Sequence, residues 1–87
     1  MKNILAERLK ACRKESKLTQ AQVAIYCDIT EKAYQNYELM TREPRLEILV
    51  RIAELYNVSL DYLVGLTDQP KPYQKTKKIY DGNFQSG

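Results

Sequence analysis

The sequence predicts an all-α chain: a compact domain of five helices without a sheet, followed by an irregular C-terminal tail. Three observations predict it. Apolar residues recur three and four positions apart from Leu5 to Leu63, the spacing that gives a helix one apolar face. Thr19, Thr30 and Ser59, whose hydroxyls can accept from free amides, stand directly before three of these stripes. With 87 residues and 44% hydrophobic content, the chain can bury one small core, since domains of this size remove only roughly 60% of their unfolded surface from water.

The first helix should span about Asn3 to Glu15, with Leu5, Leu9 and Cys12 on one side. The second opens at Thr19, where Gln22 three residues on completes a Thr-x-x-Gln capping box. The third begins at Thr30 and runs to about Glu38, ahead of a Leu39 to Pro44 loop. Pro44 disfavours helix at Glu43 and is tolerated just before or within a first turn, so the fourth helix should start near it and continue to Tyr56. Its expected buried stripe is Leu46, Leu49, Ile52, Ala53 and Tyr56. Asn57 suits a left-handed C-terminal cap, and Ser59 can cap a short fifth helix that ends at Gly65. Residues 1–66 therefore read as the domain and 67–87 as a basic, solvated tail, within which Asp81-Gly82 is a hairpin-turn signal.

The second and third helices form a helix-turn-helix. Val23, Ala24, Ile29, Ala33, Tyr34 and Tyr37 make an inward set, with Ala permitting close crossing. Gln20, Gln22, Thr30, Glu31, Lys32, Gln35 and Asn36 form the outward set, and their hydroxyl, carboxylate, ammonium and amide groups are those that read base edges in a major groove. Lys32, Arg42 and Arg45 cluster in or just after the third helix. The net charge of +3 alone does not establish a nucleic-acid partner, since Met1 to Leu66 holds ten basic and nine acidic residues.

Other classes are less compatible with the composition. No apolar run approaches the roughly 20 residues that cross a bilayer, and the amino end turns charged before a signal-peptide core develops, so a cytoplasmic protein is expected. Cys12 and Cys27 fall at apolar positions of the helical pattern, and two cysteines without histidine cannot complete a four-ligand zinc site. With no histidine, no glycine-rich phosphate loop and no cysteine beside an evident base, neither an enzyme nor a cofactor is expected.

From Arg8 to Gly65 the chain resembles the Cro-type, lambda-repressor-like family of helix-turn-helix regulators. The resemblance is carried by Leu18-Thr19-Gln20, Tyr37-Glu38, Arg42-Glu43-Pro44 and Val58-Ser59-Leu60-Asp61-Tyr62-Leu63. It implies that Gln20 holds a DNA phosphate, that Glu31, Lys32 and Asn36 face bases, and that Thr41 and Arg42, extended by Arg45, touch phosphates. It also implies an Arg13 to Glu38 ion pair joining the first helix to the end of the third. Lys17, Asp28 and Met40 stand where such proteins usually have glycine in a left-handed conformation, which disfavours Lys or Met by roughly 1 kcal/mol or more. Tyr34 replaces a usual Ile or Val, so its hydroxyl must find a partner or reach solvent.

The expected function is a transcriptional regulator, most simply a repressor of bacterial, phage or mobile-element origin, that binds operator DNA as a homodimer. The fourth and fifth helices, with Leu60, Tyr62 and Val64 as exposed candidates, or else the tail, are its candidate dimer surface, and the tail lysines offer a phosphate-tracking arm. The alternative is a protein-interaction module, antitoxin-like or an adaptor, using Leu39 and Met40 of the exposed loop.

Overall fold

A computed structural model describes residues 2–72. The dimer, arm and hairpin-turn readings of the segment from residue 73 onward lie outside them. The described residues form five helices and no strand: α1 (Lys2–Glu15), α2 (Gln20–Cys27), α3 (Glu31–Leu39), α4 (Leu46–Tyr56) and α5 (Leu60–Val64). They pack into a lambda-repressor-like domain in which α2 lies against α3 and α4, and α1 against α3 and α5.

Local chemistry sets the boundaries. At α2 both halves of the capping box are formed: the Gln22 amide donates to Thr19 Oγ1 at 3.1 Å, and the Thr19 amide to Gln22 Oε1 at 2.8 Å. Thr30 and Ser59 cap α3 and α5 through their hydroxyls. Among the described residues four non-glycine positions adopt the left-handed conformation, Lys17 (φ 60°), Asp28 (φ 60°), Met40 (φ 68°) and Asn57 (φ 59°), and the last three are the C-caps of α2, α3 and α4. Their amides thereby bond the last carbonyls of each helix, at a conformational cost that glycine would not carry.

The core gathers Leu9, Cys12, Val23, Ala24, Cys27, Tyr34, Ile48, Leu49, Ile52, Ala53, Tyr56, Val58 and Leu63. Both cysteines are free thiols, and burial pushes each above its ordinary titration range. Tyr34 is fully buried, and its hydroxyl lies 2.6 Å from that of Tyr56, with the Leu9 carbonyl at 3.5 Å. Burial drives both phenols well above their ordinary range, so both stay neutral and the pair behaves as a hydrogen-bonded strut between α3 and α4.

Two expectations are corrected. Leu46 is 70% exposed, and Ile48, at 6%, takes its place in the buried stripe of α4. With 3.6 residues per turn, Leu46 sits about 90° from the centre of the arc formed by residues 48, 49, 52, 53 and 56, beyond what the neighbouring helices cover. Leu60, Tyr62 and Val64 are half-buried against the core rather than exposed, because five residues of α5 must close the bundle with almost every apolar side chain they have.

Beyond α5 the chain turns back on α1. The Arg8 guanidinium lies 4.0 Å over the Tyr62 ring, donates to the Tyr62 and Thr67 carbonyls, and pairs with Asp68 at 2.8 Å. The Ser59 amide donates to the Pro70 carbonyl at 3.0 Å, which fixes the described end of the chain beside the start of α5.

Candidate nucleic-acid interface

The start of α3 is presented to solvent and its end is locked. Thr30 caps the helix, accepting from the Ala33 amide at 3.0 Å, and Thr30, Glu31 and Lys32 are exposed. A carboxylate at Glu31 also suits the positive end of the helix dipole. Gln35 and Asn36 follow on the same helix, half-buried.

At the other end, Glu38 is almost buried and receives Arg13 through two bonds, Nε to Oε2 at 2.7 Å and Nη2 to Oε1 at 3.1 Å. Arg13 uses its remaining nitrogen on the Leu18 carbonyl at 3.1 Å, so the same guanidinium fixes the approach to α2. Burial by itself would push the Glu38 carboxyl up. Donation from Arg13, with the Tyr34 hydroxyl and the Gln20 amide, outweighs it and holds the group below its ordinary range. The ion pair implied by the family resemblance is therefore formed, and it is a structural clamp.

Gln20 belongs to this clamp. Its amide donates to Glu38 Oε1 at 3.1 Å, which places the first residue of α2 beside the last turn of α3. No spacing rule announced that contact, because it joins two residues 18 apart whose facing depends on how the helices cross.

Between α3 and the segment that leaves it lies an open concavity of about 360 Å³. Thr30, Lys32, Ala33, Asn36 and Tyr37 form its helical wall, and Arg42, Glu43 and Arg45 the opposing one. The shape follows from the sharp return after Met40: the Asn36 carbonyl accepts from the Thr41 amide at 3.0 Å, the Arg42 amide at 3.3 Å and the Thr41 hydroxyl at 3.3 Å. Lys32, Arg42 and Arg45 outnumber Glu43, so the walls are net positive. Five of the expected site residues thus share one surface. Glu31, Gln35 and Thr41 do not line it, and Gln20 stands apart at the clamp. Tyr37, expected in the inward set, is half-buried: it packs against the core and also forms part of the wall, four residues after Ala33 on the same side of the helix.

A helix-turn-helix family model matches residues 9–63, enclosing the clamp, the caps at Thr19, Thr30 and Ser59, and the concavity. The chain belongs to the helix-turn-helix family. Among its relatives, the uncharacterized HTH-type transcriptional regulator YobD of Bacillus subtilis (strain 168) is 42% identical over 73 residues, covering 84% of this chain and 65% of that protein. The HTH-type regulator YqaE of the same organism is 43% identical over 77 residues, covering 87% of this chain and 66% of that protein. The cryptic phage CTXphi transcriptional repressor RstR of Vibrio cholerae serotype O1 (strain ATCC 39315 / El Tor Inaba N16961) is 39% identical over 61 residues, 70% of this chain and 54% of that protein. The helix-turn-helix chain thus spans less than two thirds of each of these relatives. No solved structure matches significantly. Among the described residues no helix is long and apolar enough to cross a membrane.

Proposed function

We propose that the chain is a sequence-specific DNA-binding transcriptional regulator, acting in the cytoplasm as a repressor that occupies its operator as a homodimer. The observation that supports this best is the exposed start of α3 bordering a concavity whose walls are net positive. On this reading Glu31, Lys32, Gln35 and Asn36 enter a major groove, where Glu accepts from cytosine, Lys donates to guanine and Asn pairs with adenine. Thr30 stands beside them at the groove edge. Gln20, Thr41, Arg42 and Arg45 hold phosphates and so set register rather than sequence. Repression is carried over from the relative named a repressor, and a dimer from the geometry of such motifs, which read half-sites about 34 Å apart.

The test is selection of duplexes from a random pool, followed by titration of the best and a scrambled duplex at several salt concentrations. Specific binding should be at least about 10³-fold tighter than scrambled, and a triple change of Glu31, Lys32 and Asn36 should abolish that ratio. Equal affinity for both duplexes overturns the proposal.

Leu39, exposed at the end of α3, supports a second reading in which the surface also engages a protein. Met40 contributes less, since it is half-buried. A Leu39→Ser, Met40→Ser variant that binds DNA unchanged but loses a co-purifying partner would favour it.

A further inference from the structure

Tyr37 carries a polar group that neither the core nor the clamp uses. Its ring is seated edge-on against Tyr34, with centroids 6.1 Å apart and planes at 79°, so its orientation is set by a fully buried neighbour. Among the described residues the Tyr37 hydroxyl makes no hydrogen bond, and no buried side-chain oxygen or nitrogen lacks a partner. The hydroxyl therefore lies where solvent reaches it. The residue itself is part of the wall of the concavity, together with Lys32, Arg42 and Arg45.

From this arrangement we infer that Tyr37 is a DNA-contacting residue: its hydroxyl donates to a backbone phosphate oxygen drawn into the concavity by Arg42 and Arg45. The inference rests on the DNA-binding reading above and adds to it a neutral donor on a rigid ring. A phenol suits the task because it presents one O–H with little conformational freedom to lose, and because an anionic acceptor strengthens the bond. Packing alone calls for a ring at this position, not for a hydroxyl. The distinction from Arg42 and Arg45 is physical. A guanidinium that neutralises a phosphate releases a counterion and steepens the salt dependence of binding, whereas a neutral hydroxyl adds affinity without changing that slope.

The experiment compares the wild-type chain with Tyr37→Phe on a duplex selected by the wild type and on a scrambled duplex, across a salt series, with thermal melting of both proteins. The expected result is affinity about tenfold weaker on both duplexes, a parallel salt slope and an unchanged melting temperature. Methylphosphonate substitution, one position at a time along the duplex backbone, supplies a second measurement on the wild-type protein. One position should weaken wild type more than Tyr37→Phe, exposing the paired contact. Equal affinity of the two proteins overturns the inference and leaves the DNA-binding reading intact, as does a loss confined to the selected duplex, which would make the hydroxyl a base reader. A wild type without salt-dependent duplex binding overturns both.

Discussion

Arg13 and Glu38 meet at 2.7 Å with side chains 13% and 4% exposed, whereas Arg45 and Glu47 approach only to 3.9 Å with 80% and 67% exposed. The groups are chemically the same, and their surroundings make them different devices. At the end of α3 the pair is bidentate, joined by Gln20 and shielded from water, so each charge depends on the other. At the start of α4 the solvent already satisfies both partners, and Arg45 remains available to an incoming anion. A charge that holds the fold is buried and spent; a charge that serves a ligand is left wet.

The largest test of this contrast is Glu38→Ala, which strands the Arg13 guanidinium and should destabilise the domain by about 3–5 kcal/mol in denaturant unfolding. Glu47→Ala should fall within about 0.5 kcal/mol of wild type, and comparable losses at the two sites would break the distinction. Acid titration sharpens it. The Glu38 carboxyl is held below its ordinary value of 4.5, so its stabilisation is complete above that pH and is lost as the pH falls through the lowered value. Wild-type melting temperature should therefore drop on acidification, and Glu38→Gln should start lower and respond less.

Smaller effects are expected at the left-handed positions. Lys17→Gly relieves a positive φ on an exposed residue and should raise stability by about 1 kcal/mol, or about 4–8 °C in melting temperature. Met40→Gly should gain less, because a half-buried side chain is lost with the strain. Arg45→Ala, like Glu47→Ala, should change stability by no more than about 0.5 kcal/mol, yet the slope of log affinity against log salt should fall by about 1. An unchanged slope would remove Arg45 from the proposed phosphate contacts.

Most of the fold was legible because it depends on local chemistry. Caps at Thr19, Thr30, Asn57 and Ser59, and apolar spacing in α1 to α3, act within a few residues of themselves. The family resemblance supplied the Arg13–Glu38 pair, which spacing alone could not. What escaped was decided by tertiary geometry. The turn of α4 that exposes Leu46 follows from where its neighbours end, and the bond from Gln20 to Glu38 from how two helices cross. Arg8 gave no sign that it would gather Tyr62, Thr67 and Asp68, because the return of the chain after α5 has no helical period to announce it. Of the candidate site, the polar residue types of α3 could be read in advance, while the concavity could not, since it exists only because the Asn36 carbonyl draws Thr41 and Arg42 back alongside the helix.

The shared hydroxyls of Tyr34 and Tyr56 also bear on how this lineage can drift. Each phenol answers the other's need for a partner in a place water does not enter, so the identity chosen at one position conditions the other. Phenylalanine at position 34 alone would orphan the Tyr56 hydroxyl, whereas an aliphatic side chain at 34 accompanied by phenylalanine at 56 removes the need of each for the other and leaves Glu38 to Arg13 and Gln20. The two sites are thus expected to evolve as a couplet, exchanging together rather than one at a time.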